Sequence, residues 1–320
     1  MPLSVLIIGA GNIGACFDTP QSEMVLSHAH AFVRHPGFVL SGFVDADHDR
    51  CVSAANVWGG MPFKSTDSAF QQQNIDVAVV AVPDECHYSL LKELANYPLK
   101  LVVAEKPLTK SLSEAEEILR LYRDKGISLA VNYTRRFVPD FVALREHITS
   151  GEFGKYLTGT GYYGKGTLHN GSHMIDLLGF LVGEIKDIQS LSTVHDFYHD
   201  DPSRSLHLTL ENGAPFFMQA VDCRCYTIFE FDLFFERKRI RLTDSGVKIE
   251  TYDVKDNALF AGYRNLEKVH VQETSIAEAL TAAVTNFHDH LVGNAPLLCT
   301  GVDGYKVMTV CCRMMETPHE

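Results

Sequence analysis

Val5-Leu6-Ile7-Ile8-Gly9-Ala10-Gly11-Asn12-Ile13-Gly14 is the stretch that decides the fold. An unbroken aliphatic run reads as a strand buried on both faces, and G-x-G-x-x-G directly after it reads as a dinucleotide-binding turn. The first glycine permits the tight turn, the second lets backbone approach a pyrophosphate, and the third allows close helix packing. A second aliphatic run, Val39–Val44, leads into Asp45. Its carboxylate is placed to accept hydrogen bonds from an adenosine ribose and to repel a 2′-phosphate, and Asp47 adds to that repulsion. NAD is therefore the expected cofactor, with NADP possible. No Gly-Lys-Ser/Thr follows the glycines, which excludes a P-loop.

Outward from this turn the aliphatic pattern repeats at Val77–Val82, Leu101–Ala104 and Ser128–Asn132, with helical stretches between, so a parallel sheet is expected. Ser113 and Glu116 have capping-box spacing for a helix that buries Ile118, Leu119 and Tyr122 and stops at Gly126. Asp18-Thr19-Pro20-Gln21-Ser22 interrupts the helix expected after Gly14, and helical pattern resumes near Ser27–Arg34. That interruption reads either as a surface insertion or as a loop over cofactor or substrate. The pairs His28/His30 and His288/His290 read as polar-face residues.

Past Asn132 the pattern predicts helices over Val138–Ser150 and Ser172–Leu181. Alternating runs follow at Ser205–Leu210, Phe216–Val221, Ile228–Phe235, Arg239–Leu242 and Val247–Tyr252, as antiparallel strands do. An amphipathic helix over Ser275–Leu291 and a last helix after Gly301 close the chain. The class is α/β in two domains, with a dinucleotide-binding part over 1–125 and a substrate part over 126–320.

Composition narrows the function. The 320 residues carry a net charge of −12, which argues against a nucleic-acid or anionic-membrane partner, since both need a concentrated basic footprint. No apolar run approaches the roughly 20 residues of a membrane span, and the N-terminus has no cationic leader, so cytoplasmic residence is expected. The 8 cysteines are scattered and read as buried free thiols, not as a zinc ribbon or disulfide framework.

Glu105-Lys106-Pro107 ends a predicted strand, where ligands bind in open α/β sheets, so Lys106 is placed to hydrogen-bond a substrate hydroxyl. Several further stretches extend the pattern: Val82-Pro83-Asp84-Glu85-Cys86-His87, Asn132-Tyr133-Thr134-Arg135-Arg136-Phe137 and His173-Met174-Ile175-Asp176. With Gly9–Gly14, Asp45 and Glu105–Pro107 they stand in the order and spacing of the Gfo/Idh/MocA oxidoreductases, and the whole chain resembles that family. The resemblance implies an N-terminal Rossmann domain and a C-terminal α/β domain with an open, mostly antiparallel sheet. It also implies pyridine-nucleotide redox chemistry on sugars or polyols, and homodimers or homotetramers.

By position, Lys106 matches the family's catalytic lysine and His173 its catalytic histidine. Gly9, Gly11, Asn12, Ile13, Gly14, Asp45, Val82, Pro83, His87, Glu105 and Lys106 are the expected cofactor-binding residues. Lys106, Tyr163, His169, His173 and Asp176 are expected on the substrate. Many family members carry Asp four residues before the catalytic histidine; this chain has His169, a third expected catalytic residue, and a neutral imidazole cannot hold His173 as a carboxylate would. Gly171 argues against a helix through His169, and no metal is expected, although His169, His173 and Asp176 have ligand-like spacing. Two other readings stand beside a dehydrogenase: a glycosidase with retained NAD, and a non-catalytic nucleotide-sensing regulator.

Overall fold

The structure is a computed structural model and describes residues 2–293 and 295–317. By contacts the chain divides into two compact units, Met1–Phe137 with Ala277–Met308, and Val138–Ile276 with Thr309–Glu320. The division falls after Phe137 and takes Ala277–Met308 back into the first unit, whereas the sequence pattern predicts one boundary after residue 125.

The first unit begins with β1 (Leu3–Ile8), α1 (His28–Arg34), β2 (Phe38–Val44), α2 (His48–Trp58), β3 (Met61–Phe63) and α3 (Thr66–Gln72). It continues with β4 (Val77–Val80), α4 (Asp84–Leu94), β5 (Leu101–Ala104), α5 (Leu112–Lys125) and β6 (Ser128–Val131). All six strands are parallel in the order β3-β2-β1-β4-β5-β6, the doubly wound arrangement whose ligand crevice lies at the strands' carboxyl ends. Val77–Val80 and Leu101–Ala104 are buried at every residue, which is why they read as continuous aliphatic runs. Helix α5 is capped by Ser111, whose hydroxyl accepts from the Glu114 amide at 3.3 Å, two residues before the expected cap.

The second unit holds α6 (Pro139–Thr149), β7 (Tyr156–Tyr163), α7 (Ser172–Leu181), β8 (Ile185–Val194), β9 (Ser203–Leu210) and β10 (Pro215–Ala220). Then come β11 (Phe229–Phe235), β12 (Lys238–Thr243), β13 (Lys248–Asp256) and β14 (Arg264–Glu273). The eight strands run β14-β13-β12-β11-β7-β10-β9-β8, antiparallel except where β10 lies parallel to β7. One face buries Phe216, Met218, Phe229, Phe231, Leu233 and Phe235, each contributing about 1.5–3 kcal/mol by leaving water. Met174 of α7 packs against Gly161 of β7, seating that helix on the sheet. Helices α8 (Ala279–Gly293) and α9 (Gly301–Glu316) complete the chain. Among the described residues no helix is long and apolar enough to cross a membrane.

Candidate functional site

In the first unit the glycine turn has the shape its sequence demands. Gly9 sits at φ +99°, and a Cβ on Gly14 would lie 1.9 Å from the Gly9 carbonyl oxygen, so the turn closes only without side chains. A Cβ on Gly11 would meet nothing within 4 Å, which leaves the room a pyrophosphate needs against that backbone. The turn continues as a π-helical segment, Asn12–Cys16, whose first amides have no carbonyl within the turn to bond. Asp45 reaches back to it: Oδ2 accepts from the Ala10 amide at 2.7 Å and Oδ1 from the Asp47 amide at 2.8 Å. A carboxylate has about four lone-pair positions, so Asp45 can also accept from a ribose hydroxyl. Arg50 lies 3.6 Å from Asp45 and 3.5 Å from Asp47, offsetting part of the repulsion expected toward a 2′-phosphate. These residues fit a dinucleotide.

The interruption after the turn is anchored from within. Asp18 is buried and accepts from the Leu26 amide at 2.6 Å, the Ser27 hydroxyl at 2.5 Å and His30 Nδ1 at 2.7 Å. Burial pushes its carboxyl up, but these hydrogen bonds and the His30 charge outweigh that and hold it below the usual carboxylate range. Ser27 caps α1, so Asp18 fixes the start of that helix. The indole Nε1 of Trp58 donates to the Ala15 carbonyl at 2.9 Å, and its ring lies 5.2 Å from that of His30.

His28 and His30 correct the polar-face reading: both are buried. His28 Nε2 donates to Glu105 Oε1 at 2.8 Å, and Asn132 Nδ2 donates to the same oxygen at 2.7 Å. His28 Nδ1 has no hydrogen-bond partner among the described residues. Burial raises the Glu105 carboxyl, yet the His28 and Asn132 hydrogen bonds and the His28 and Lys106 charges bring it below the usual range. Glu105 is thus bound internally, and half-buried Lys106 follows it at the end of β5. His28 is a site residue that sequence reasoning missed.

His87 also needs correction as a cofactor-binding residue. It is fully buried, with Nδ1 2.7 Å from the Pro107 carbonyl and Nε2 3.0 Å from that of Val82. It supports the two loops that carry Val82, Pro83 and Lys106. His288 packs its ring on His35 and Phe38, and His290 bonds Ser128 and the Ala295 carbonyl, so that pair is not a polar face either. Arg136 pairs with Asp303 at 2.9 Å and is structural. Cys16, Cys86 and Cys225 are exposed, against the expectation of buried thiols.

In the second unit His169 lies in a π-helical turn, Gly166–Gly171, that runs directly into α7. Contrary to the expectation from Gly171, that residue does not break the helical path; its φ of −60° and ψ of −35° are helical. His169 Nδ1 lies 3.0 Å from Asp201 Oδ2, and the imidazole stacks on Tyr198 with centroids 4.0 Å apart. His173 is half-buried with its Nδ1 enclosed, and Asp176 is buried in the body of α7. Tyr163, expected on the substrate, is fully buried; its hydroxyl donates to the Arg204 carbonyl at 2.7 Å and accepts from the Arg204 amide at 2.9 Å. It holds the turn, and its neighbour Tyr162 is the exposed ring. Among the described residues no group of three or more His, Cys, Asp and Glu could hold a metal.

A parallel sheet in this order, with a glycine turn tied to an acidic residue after β2, is the arrangement of a dinucleotide-binding Rossmann domain. Residues 3–133 match the Gfo/Idh/MocA family model, described as "Oxidoreductase family, NAD-binding Rossmann fold". Inositol 2-dehydrogenase of Leifsonia xyli subsp. xyli is 31% identical over 156 residues, 48% of this chain and 43% of that one. The chain thus spans less than half the length of the curated relatives it matches. Among solved structures, levoglucosan dehydrogenase in complex with NADH and levoglucosan superposes with a TM-score of 0.81 at 16% identity, covering 99% of this chain and 97% of that one. The WlbA dehydrogenase from Bordetella pertussis in complex with NADH and UDP-GlcNAcA gives 0.78 at 17% identity, over 98% and 95%. At those identities the likeness is one of fold, and it includes the mostly antiparallel second sheet.

Proposed function

We propose that this chain is an NAD-dependent dehydrogenase that oxidises a secondary hydroxyl of a sugar, polyol or sugar derivative, or reduces the corresponding ketone. The observation that carries the reading is the glycine turn of the first unit, closed at Gly14, open above Gly11 and tied through Ala10 to Asp45. Gly9, Gly11, Asn12, Ile13 and Gly14 would hold the pyrophosphate, Asp45 the adenosine ribose, and Val82 and Pro83 would flank the nucleotide. When bound there, NAD⁺ would supply the hydride acceptor for oxidation of a carbinol carbon. Lys106 donates to the substrate oxygen and stabilises its developing negative charge, while an imidazole from the segment holding His169 and His173 takes the hydroxyl proton. The named relatives, an inositol dehydrogenase and dehydrogenases bound to sugar ligands, support this substrate class. The resemblance further supports a homodimer or homotetramer.

The test is NADH formation on a panel of sugars, polyols and sugar acids. Lys106→Ala is expected to lower kcat by about 10²-fold or more while leaving NAD affinity within a few-fold. A wild-type protein that binds no NAD, or a Lys106→Ala variant as active as wild type, overturns the reading.

A further inference from the structure

We propose that Asp201 is a positioning residue that fixes His169 in the Nδ1–H tautomer and so makes its Nε2 the acceptor for the substrate's hydroxyl proton. This rests on the dehydrogenase reading and selects between the two imidazoles that it leaves open.

The loop between β8 and β9 and the turn before α7 are built against each other. Asp201 is almost fully buried and lies 32 residues from His169 in sequence. Its carboxylate accepts from the Leu168 amide at 2.9 Å, the His169 amide at 2.9 Å and His169 Nδ1 at 3.0 Å. An acceptor-only carboxylate facing Nδ1 requires the proton on that nitrogen, which in the neutral ring leaves Nε2 with its lone pair. Gly166, at φ +83°, admits this approach, since a Cβ there would lie 2.1 Å from Asp201 Oδ2.

The same loop fixes the ring's plane. Tyr198 stacks on the imidazole at 17° and is braced edge-on by Phe197, while Asp196 takes the Lys165 amide at 2.7 Å and the Ser203 hydroxyl at 3.0 Å. His169 is nonetheless 47% exposed at its side chain, and Nε2 has no hydrogen-bond partner among the described residues. A buried carboxylate against Nδ1 and a half-exposed imidazole whose Nε2 makes no hydrogen bond within the described residues meet the requirements of a general base oriented by a third group. The step balances: the substrate's O–H bond breaks and its proton goes to Nε2. Its C–H electron pair leaves as the hydride that NAD⁺ accepts, and a carbonyl forms. Asp201 thus supplies from another element the carboxylate that position 169 itself lacks.

Two measurements on the full-length protein test this. Long-range ¹H–¹⁵N correlation spectra of the histidine rings, assigned with His169→Gln, should show His169 as Nδ1–H at alkaline pH. Asp201→Asn, which keeps an acceptor oxygen for the two amides, should shift it toward Nε2–H. On a substrate the panel identifies, Asp201→Asn should lower kcat by about 10²–10⁴-fold with NAD affinity within threefold, the scale on which a wrong tautomer acts. Nε2–H in the wild type, or unchanged kcat in Asp201→Asn, overturns the assignment while the dehydrogenase reading stands. Absence of NADH with every compound overturns the dehydrogenase reading and the proton-acceptor role together.

Discussion

Removing the Glu105 carboxylate is the sharpest test of how the first unit holds its lysine. Oε1 receives two hydrogen bonds, from His28 at 2.8 Å and from Asn132 at 2.7 Å, and both donors are buried. In Glu105→Ala neither donor has an acceptor. Hydrogen bonds to a charged group are worth about 1.5–3 kcal/mol each, so the loss is about 3–6 kcal/mol, a large part of a typical folding stability of about 5–15. Glu105→Gln keeps an acceptor oxygen at nearly the same volume and gives up only the charge, so it should cost about 1–2 kcal/mol. Urea unfolding followed by far-ultraviolet circular dichroism measures both. With slopes of about 1–3 kcal/mol/M, the alanine variant should shift the first unit's midpoint by at least about 1 M. A loss below about 1 kcal/mol for Glu105→Ala, or equal losses for the two variants, refutes the reasoning. The pH dependence gives a second check. The folded carboxyl lies below its unfolded value, so its stabilisation is present above the ordinary glutamate range near 4.3 and is lost as pH falls through the lowered value. Both variants should flatten that acid limb.

Two further outcomes follow from the same geometry. Asp18→Asn should destabilise by about 2–4 kcal/mol near neutrality, with the difference from wild type shrinking as pH falls through the lowered Asp18 value; thermal unfolding between pH 3 and 7 reads this, and a pH-independent difference counts against it. Asp45→Ala should reduce the preference for NAD over NADP by roughly 10-fold in kcat/KM, because Arg50 then faces the 2′ position with less opposing charge; unchanged discrimination means that Asp45 does not contact the ribose.

What could be read from the sequence divides along physical lines. Strands buried on both faces announce themselves, so Val77–Val80 and Leu101–Ala104 were legible as aliphatic runs, and α7 matched Ser172–Leu181. Strand β7 was not legible: Tyr156–Tyr163 contains two glycines and two threonines, and glycines weaken a strand signal even where a helix packs against them. Strand β14 is exposed along nearly its whole length, so no buried face imposes alternation beyond the short Val269–Gln272 run. The site residues failed for a different reason. A histidine's surroundings depend on partners distant in the chain, and Glu105 lies 77 residues from His28. Local spacing therefore made His28 and His30 look solvated, although a His-x-His pair directly after the helix-capping Ser27 was a signal that could have been weighed. Likewise His169 looked like a lost carboxylate because Asp201 stands 32 residues away on a loop without regular structure.

The chain contains one tryptophan, and the fold puts it beside the glycine turn, with Trp58 hydrogen-bonded to Ala15. All indole emission therefore originates at one point, in a helix packed on the nucleotide loop. A reduced nicotinamide held nearby absorbs in the range where a buried indole emits, so occupancy of the loop should be reported by energy transfer from a built-in donor, with no label to disturb the backbone. The protein carries its own optical probe at the position where its function is most easily questioned.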